Sequence, residues 1–358
     1  MLSWIKCLSV FRRGRILWIL NHKTLLPAEV PILESLGFEV FTPATTPSDP
    51  EFASATGRHD KRSTISAESH SKLKSHGFYT DPWPSDLIEI INDKFDLIVT
   101  AVIDIPLVQA LRHFKGPIVA RVFGREAQLN YAALFQHYGC TDLIKEVSRR
   151  FMFGQAYPNL EIIEEDFLKE RARTIGCGVP KYIWNKQNSW KRKRDHLLFI
   201  CPRIETNSYY REKYDTIKSI FGSTVHTIIG AQARPSDDPS VVGFISDDEL
   251  FSLYASSAAF VYISSEERHL HYSPIEAIII GMPVLYMRGS MMATLAGMEL
   301  PGECRSLNDM REKADRLIRG DQGLQAEIIA AQSRILPPFT ERVVKRQWKA
   351  ALANLNLI

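Results

Sequence analysis

Cysteine is scarce in this chain, and long apolar runs are absent. The five cysteines among 358 residues are scattered, odd in number and never in a CxxC pair. This argues against a disulfide framework or a zinc site and indicates a reducing cytoplasm. No apolar run reaches the roughly 18 residues needed to span a bilayer. The basic residues of the N-terminal segment mostly follow its short apolar stretch, which is not the order of a secretory signal peptide. We therefore expect a cytoplasmic protein.

An excess of charge of one sign is also missing. Lys and Arg number 44 against 41 Asp and Glu, a net charge of +3, which is too small to predict a nucleic-acid partner. Hydrophobic residues make up 45% and charged residues 24% of the chain, a balance typical of a folded globular protein. The length exceeds one ordinary core, so we expect two domains.

Basic residues are nevertheless concentrated in two segments. The first is the N-terminal segment 1–15, which reads either as a frayed start or as a short amphipathic segment lying on an anionic membrane. The second is KQNSWKRKRD, residues 186–195. It reads either as a solvated linker or as a patch for lipid phosphates with Trp190 at the membrane interface. Peripheral contact with the inner face of the plasma membrane is therefore one prediction.

Apolar strands alternate with helical stretches in both halves of the chain. The strands are continuous apolar runs, which is typical of parallel sheets covered on both faces. We predict two Rossmann-like, doubly wound α/β domains that face each other across a cleft. The predicted divisions are an N-terminal domain over residues 1–185, a linker over 186–195, a C-terminal domain over 196–336, and a final helix over 337–358 that crosses back to the first domain. A long polar insertion interrupts the first domain between residues 44 and 83, with a helix near 66–75.

The most informative stretch is residues 241–286, VVGFISDDELFSLYASSAAFVYISSEERHLHYSPIEAIIIGMPVLY. Its ordered motifs are Gly243-Phe244, Asp247-Asp248-Glu249-Leu250, Tyr254, Ser264-Ser265, Glu266 or Glu267, Glu276-Ala277 and Gly281-Met282-Pro283-Val284. With this set the chain resembles the retaining GT-B glycosyltransferases related to glycosyltransferase family four. The resemblance covers the C-terminal half well and the N-terminal half in outline. It implies a GT-B fold and a transferase that binds a nucleotide-sugar donor with its C-terminal domain.

The loop between the two glutamates departs from the family pattern. The family usually spaces these glutamates one residue closer than Glu267 and Glu276 stand here, and Arg268 occupies the usual position. His269 and His271 fall in what is usually a glycine-rich turn. Because that turn normally touches the donor sugar, the resemblance implies an unusual donor, for example an acidic one. Glu267 and His271 are candidate catalytic residues, and Arg268 is a candidate donor-binding residue.

The start of the helix after this loop is a second candidate donor site. Ser273, Pro274 and Glu276 fit a capping box, with Ser at the N-cap, Pro at the first helical position and Glu at the third. A helix start presents free N–H groups to a diphosphate. The resemblance assigns the ribose hydroxyls of the donor to Glu276.

The first strands of the C-terminal half supply further donor-binding candidates. Arg203 directly follows the strand HLLFICP, and Lys213, or Arg211, lies slightly later. In the resembling family an arginine and a lysine here neutralise the donor diphosphate, a task that suits the rigid fork of arginine. Gly230 ends the next strand, where it permits close approach of the backbone to a ligand.

Polar residues at the strand ends of the N-terminal half are candidates for the acceptor side. His22 and Lys23 follow the first strand and are predicted to bind acceptor; Arg125 is predicted to bind an anionic group on it. Asp104 and Glu126 are candidates for base or nucleophile. Each of these residues also reads as a loop charge or a helix cap. A further set lies in the long insertion, as candidates to close over the acceptor: His59, Asp60, Lys61 and Arg62.

Neither a metal nor a cofactor is expected. The acidic pairs Asp237-Asp238 and Asp247-Asp248 are adjacent and not spaced as Asp-x-Asp, and the second pair opens a helix. Arg203, Lys213 and the helix start at Ser273 are instead expected to stabilise the leaving phosphate, with the nucleotide-sugar as a substrate.

The resulting hypothesis is a retaining glycosyltransferase that acts on a glycan or lipid-linked acceptor in bacterial surface polysaccharide synthesis. Two alternatives stay open. One is a nucleotide-sugar 2-epimerase, which needs acid and base groups such as His269 and His271 around the sugar. The other is a non-catalytic subunit that binds nucleotide or glycan.

Overall fold

The computed structural model describes residues 14–44, 57, 59, 63–101, 104–126 and 129–358. The predicted amphipathic segment before residue 14, and Asp60, Lys61 and Arg62 of the long insertion, lie outside the described residues. Within the described part, twelve strands form two six-stranded parallel sheets. None of the helices described there is long and apolar enough to cross a bilayer.

The first sheet has the strand order β2-β1-β3-β4-β5-β6. Its strands are β1 (Arg15–Ile19), β2 (Glu39–Phe41), β3 (Leu97–Thr100), β4 (Ile118–Val122), β5 (Phe151–Gln155) and β6 (Ala172–Thr174). The helices between and after them are α1 (Leu25–Ser35), α2 (Ala67–Ser75), α3 (Ser85–Lys94), α4 (Ile105–His113), α5 (Tyr131–His137), α6 (Thr141–Val147), α7 (Asp166–Lys169) and α8 (Lys181–Trp184). We call this sheet and its helices the first lobe.

The second sheet has the order β12-β11-β10-β7-β8-β9. Its strands are β7 (Leu197–Ile200), β8 (His226–Ile229), β9 (Val241–Gly243), β10 (Ala259–Tyr262), β11 (Val284–Met287) and β12 (Glu303–Cys304). The accompanying helices are α9 (Ser208–Phe221), α10 (Asp247–Ser256), α11 (Tyr272–Ile280), α12 (Met291–Ala296), α13 (Leu307–Ile318) and α14 (Gln322–Gln332). These elements form the second lobe. Strands such as β3, β4 and β10 are buried along their whole length, as expected for sheets covered on both faces.

Local side-chain chemistry sets several helix ends in the second lobe. Before α10, the Ser246 hydroxyl accepts the Glu249 N–H at 3.3 Å, while the Glu249 carboxylate accepts the Ser246 N–H at 2.9 Å. This reciprocal pair is a capping box. The Asn207 side chain caps α9, and α11 ends at Gly281, whose φ of 93° is the left-handed conformation that favours glycine.

The start of α11 differs from the sequence-based prediction. The helix begins at Tyr272, with His271 as its N-cap, so Ser273 is already helical and the predicted capping box at Ser273 is wrong. The reason is that both predicted partners make contacts with Tyr254 of α10 instead. Its hydroxyl donates to Glu276 Oε2 at 3.2 Å and also bonds the Ser273 side chain.

The segment between the lobes lies along the second lobe. The backbone N–H groups of Asn188 and Trp190 donate to carbonyl oxygens at the end of α11, and those of Lys191 and Lys193 to the end of α10. Trp190 is half-buried, and its indole N–H donates to the Ser257 carbonyl oxygen at 2.8 Å. This packing does not fit the interpretation of Trp190 as a membrane-interface residue.

The last helix, α15 (Glu341–Asn354), packs against α1 of the first lobe. A buried charge pair lies at this contact: Arg121 of β4 and Glu29 of α1 are 2.8 Å apart, and neither side chain is exposed. The second carboxylate oxygen of Glu29 accepts the indole N–H of Trp348 at 2.9 Å. The guanidinium also donates to the carbonyl oxygens of Gly154, Ile175 and Gly176. One arginine therefore joins α1, β4, β5, the segment after β6 and, through Glu29, α15.

We expect Glu29→Gln to lower the free energy of unfolding by about 3–5 kcal/mol, because the buried Arg121 guanidinium loses its counter-charge. Urea denaturation followed by tryptophan fluorescence measures the change. The matched control is Glu341→Gln on α15, which breaks an exposed ion pair with Lys181 at 3.3 Å and should change stability only slightly. Equal losses of unfolding free energy in Glu29→Gln and Glu341→Gln would contradict the role assigned to Glu29.

Candidate functional site

A cavity of about 420 Å³ lies between the two lobes. Residues that follow strands of both sheets line it, and in parallel α/β sheets the carboxyl ends of the strands are where ligands bind. From the first lobe the lining includes His22 after β1, Phe123 after β4 and Cys177 after β6. From the second lobe it includes Arg203 after β7 and Gly230 after β8.

Seven of the predicted site residues line this cavity: His22, Lys23, Arg203, Gly230, His271, Ser273 and Glu276. Glu126 lies beside it, because it bonds to Tyr210, which in turn bonds to His271. The fold therefore brings together candidates that are far apart in the sequence and come from both lobes.

The other five predicted residues lie outside the described lining of the cavity, and local partners account for four of them. Arg125 donates to the Asn130 carbonyl oxygen at 3.0 Å. The Lys213 ammonium lies 5.0 Å from the Tyr209 ring centroid and 3.8 Å from Glu212. Glu267 and Arg268 pair with each other at 3.4 Å. Asp104 is exposed directly before α4. Direct contact of these side chains with a ligand in the cavity thus has no support in their geometry.

His22 is held as a neutral imidazole at the start of α1. Its Nδ1 accepts the backbone N–H groups of Thr24 at 3.1 Å and Leu25 at 3.3 Å. Burial, with a smaller contribution from Lys23, lowers the pKa of His22 to about 4. Since Nδ1 is an acceptor, the proton of the neutral ring is on Nε2, which makes His22 a hydrogen-bond donor at the cavity.

Arg203 brings a positive charge to the cavity on an unusual backbone. Its φ of 52° lies in the left-handed region, and its N–H donates to the Ala231 carbonyl oxygen at 2.8 Å. The guanidinium stacks 5.3 Å from the Tyr210 ring centroid. Non-glycine residues in this conformation are uncommon and are concentrated at functional sites.

Gly230 is required for a reason that the sequence did not reveal. Its φ is 130°, and a Cβ at this position would lie 2.8 Å from the Pro202 nitrogen. The glycine therefore permits close packing of the β8 end against the β7 end, and so helps to place the neighbouring Arg203.

Glu276 is a buried carboxyl group on the wall of the cavity. Burial raises its pKa to about 7, although the Tyr254 hydroxyl and Lys23 favour the ionised form. Lys23 comes from the other lobe: its ammonium pairs with Asp247 at 3.1 Å and lies 5.7 Å from the Phe244 ring centroid. This places Lys23 near the predicted donor side of the cavity, beside Glu276.

A hydrogen-bond network crosses from one lobe to the other. The Tyr210 hydroxyl donates to Glu126 Oε1 at 2.9 Å and lies 2.9 Å from His271 Nε2. Because a carboxylate only accepts, the phenolic oxygen accepts from Nε2–H of His271, and His271 Nδ1 then accepts from the Tyr262 hydroxyl at 3.1 Å. Burial, with smaller contributions from the neighbouring His269 and Arg203, lowers the pKa of His271 to about 3, so this ring is neutral.

Direct contact between the lobes adjoins the network. His269 Nδ1 lies 3.3 Å from the Gly124 carbonyl oxygen, and Asn159 Nδ2 donates to the Glu267 carbonyl oxygen at 2.9 Å. Gly124 has a φ of 83°, and a Cβ there would overlap the carbonyl oxygen of Arg268. Only glycine allows this approach of the 264–272 loop to the first lobe.

Several site residues were missed from the sequence. Tyr210 and Tyr262 had no motif to mark them, since each is one aromatic residue in an apolar or amphipathic element. Tyr254 belonged to the ordered motifs, but its pairing with Glu276 was not predicted. His269 was named as part of an unusual loop and as an acid or base candidate of an epimerase, but not as a contact between the lobes. Among the described residues, Glu126, His269 and His271 form a group whose ligand atoms lie within 4.8 Å of one another, close enough to hold a metal ion.

Comparison with solved structures identifies the fold. The chain is similar to Anabaena HepE in complex with UDP-glucose (TM-score 0.56, 12% identity, covering 95% of this chain and 99% of that one). It is also similar to the E. coli trehalose-6-phosphate protein bound with UDP-2-fluoro glucose (TM-score 0.61, 10% identity, 96% and 99%). A third match is a glycosyltransferase from Rickettsia africae (TM-score 0.60, 10% identity, 97% and 99%).

These matches, together with the two six-stranded parallel sheets, confirm the predicted GT-B fold of two Rossmann-like units. No protein-family model and no curated protein matches the chain.

The pKa of Glu276 predicts a pH-dependent effect of Glu276→Gln on stability. The folded pKa of about 7 exceeds the ordinary glutamate value of 4.5, so the stability that the neutral acid contributes is complete below pH 4.5 and is lost as the pH rises through 7. Glutamine stays neutral. We therefore expect Glu276→Gln to raise the free energy of unfolding by up to about 3 kcal/mol at pH 8 and to change it little at pH 5. Urea denaturation at both pH values tests this; the same change at both would contradict it.

The contact at Gly124 predicts that Gly124→Ala separates the lobes. The new methyl group must displace the Arg268 carbonyl, so the radius of gyration measured by small-angle X-ray scattering should increase. Gly139→Ala is the matched control, because its φ of 66° carries similar backbone strain but nothing lies within 4 Å of the added Cβ. Unchanged scattering of Gly124→Ala, relative to Gly139→Ala, would show that the contact does not hold the lobes together.

Proposed function

We propose that the protein is a glycosyltransferase that moves a sugar from a nucleotide-sugar donor to a glycan or lipid-linked acceptor. The observation that carries this proposal is the meeting of Arg203, the start of α11 and Glu276 in one cavity between the two lobes of a GT-B fold. Similar folds have been solved with UDP-glucose in HepE and with UDP-2-fluoro glucose in the E. coli protein. A uridine nucleotide is accordingly the first donor to test.

The diphosphate of the donor would lie between Arg203 and the first turn of α11. The N–H groups of Tyr272 and Ser273 stand at the start of this nine-residue helix, where backbone donors and the helix dipole favour an anion. The guanidinium of Arg203 offers a planar fork that suits phosphate oxygens. Together these groups would stabilise the charge that builds on the leaving phosphate, so no metal on the diphosphate is part of the proposal.

Glu276 would accept hydrogen bonds from the ribose hydroxyls. Its side chain is buried on the cavity wall, where a carboxylate makes strong hydrogen bonds with neutral donors. Its ionisation near neutral pH then matters for binding, because only the carboxylate accepts from both hydroxyls. Burial of the ionised Glu276 costs free energy, and the hydrogen bonds from the bound nucleotide would offset that cost.

The acceptor would enter from the first lobe. His22 donates from Nε2 at the cavity, and Glu126 and His271 are the nearest candidates for proton transfer, linked through the Tyr210 hydroxyl. Retention of configuration, action in bacterial surface polysaccharide synthesis, and a cytoplasmic site at the inner face of the membrane follow from the sequence resemblance and the basic segments. The anomeric configuration of the product tests retention, and the identity of the acceptor tests the role in polysaccharide synthesis and the membrane contact.

One observation favours a second candidate, a nucleotide-sugar 2-epimerase. Glu126, His269 and His271 cluster beside the cavity, and such an enzyme needs acid and base groups around the sugar. The two activities differ in their need for an acceptor: an epimerase consumes donor when no acceptor is present, whereas a transferase releases little nucleotide until one is added.

Nucleotide binding tests the proposal first. In a thermal-shift screen of UDP, GDP, CMP and ADP, we expect one nucleotide, with UDP favoured, to stabilise the protein by about 2–4 kcal/mol at saturation. Arg203→Met should weaken its binding roughly 10–100-fold, through loss of charge-assisted bonds to phosphate. Lys213→Met is the matched control. Because Lys213 lies outside the cavity lining, this variant should bind the nucleotide as wild type does.

Two results would overturn the proposal: no stabilisation by any nucleotide, or equal binding by wild type and Arg203→Met. Once the nucleotide is known, its sugar conjugates are assayed with and without acceptor to separate transfer from epimerisation. Binding without turnover under both conditions would instead favour a non-catalytic subunit.

A further inference from the structure

We propose that Glu126, His269 and His271 bind one divalent transition-metal ion of the zinc class at the contact between the lobes. The carboxylate oxygen and the two imidazole nitrogens lie within 4.8 Å of one another, and the two Nε2 atoms are 3.5 Å apart. This inference departs from the sequence-based expectation that the chain holds no metal.

The spacing of the ligand atoms suits such an ion. Zinc bonds to imidazole nitrogen and carboxylate oxygen at about 2.0–2.2 Å, so neighbouring ligand atoms in a tetrahedral site are about 3.4 Å apart. The two Nε2 atoms already have this separation. To complete a site with three protein ligands and one open position, the carboxylate must shift by up to about 1.4 Å, and the Tyr210 oxygen, 2.9 Å from His271 Nε2, must move aside.

The surroundings of the ligands are those of metal sites. A metal-bound histidine usually donates its other ring N–H to a carbonyl, a carboxylate or another polar group. His269 Nδ1 lies 3.3 Å from the Gly124 carbonyl oxygen, which can only accept, so the proton of this ring is on Nδ1. Its Nε2 lone pair faces His271 Nε2 at 3.5 Å and would bind the ion in place of that contact. The Tyr210 hydroxyl donates to Glu126 and orients the carboxylate.

His271 needs one proton to change position within its ring. In the hydrogen-bond network described above its proton is on Nε2. With an ion bound there, the proton moves to Nδ1 and is donated to the Tyr262 oxygen at 3.1 Å. The Tyr262 hydroxyl can then donate to Ser264, to which it is already hydrogen-bonded. Every polar group of the network therefore keeps a partner.

Ligand type separates this site from a magnesium site on a diphosphate. Two imidazoles and one carboxylate favour Zn²⁺, Co²⁺ or Ni²⁺ over Mg²⁺, which prefers oxygen ligands. The ligands also come from both lobes: Glu126 follows β4, whereas His269 and His271 precede α11. The ion would therefore hold the lobes closed. While it is bound, Glu126 and His271 are ligands and do not take part in proton transfer.

The experiment uses the full chain after treatment with a chelator. Co²⁺ should bind with one equivalent per chain and show visible absorption bands of a nitrogen- and oxygen-ligated ion, and Zn²⁺ should displace it and raise the melting temperature. Glu126→Gln and His269→Gln should each weaken Zn²⁺ binding on the order of 100-fold, because each removes one ligand. The matched control is His137→Gln, an exposed histidine, which should bind as wild type does.

A fourth variant tests the surroundings and not the ligands. Tyr262→Phe leaves all three ligands in place but removes the acceptor for His271, so Zn²⁺ affinity should fall about 10-fold or more. The inference is wrong if Co²⁺ shows no such bands, if Zn²⁺ binds equally to wild type and to both ligand variants, or if Mg²⁺ competes at equal concentration. These outcomes are independent of nucleotide binding and of the Arg203→Met result.

Discussion

The buried ion pair between Arg121 and Glu29 is the constraint on which the site depends. A guanidinium with no exposure costs several kcal/mol to desolvate, and the cost is met only because a carboxylate and three carbonyl oxygens surround it. Glu29 belongs to α1, whose start carries His22 and Lys23. Arg121 lies just before Gly124 and Glu126, and the carbonyl that it holds at Gly176 adjoins Cys177 on the cavity wall. One pair therefore fixes three of the segments that the first lobe contributes to the cavity, and fixes α15 behind them.

The second lobe meets these segments through close backbone contact and a chain of hydrogen bonds. Gly124 lets the 264–272 loop approach, and Tyr210 joins Glu126 to His271. Stability and function oppose each other at Glu276, where burial that disfavours the carboxylate also places it on the cavity wall. Such costs are typical of binding sites, where a ligand supplies the missing interactions.

Much of the fold was predictable because it follows from local patterns. Continuous apolar strands, such as LIVT in β3, alternate with helical stretches, and this alternation predicts two doubly wound sheets without knowledge of contacts. The order of motifs around Glu276 led to the GT-B prediction, which the solved structures confirm. The helix start at α11 was predicted wrongly because Ser273-Pro274-x-Glu276 has the spacing of a capping box, while the contacts with Tyr254 that override it come from a helix earlier in the chain.

The sequence by itself determined the two-sheet architecture and the set of polar residues at the strand ends, because strand periodicity and the direction of parallel strands are local properties. It did not determine which of those residues share a cavity. Only the tertiary structure brings Glu126, Tyr210 and His271 into contact, since they belong to two lobes and their distances depend on how the lobes pack. Lys213 and Arg268 contact their sequence neighbours Tyr209 and Glu267 and lie outside the cavity lining. Long-range packing and burial, which no short motif encodes, thus decide the composition of the site.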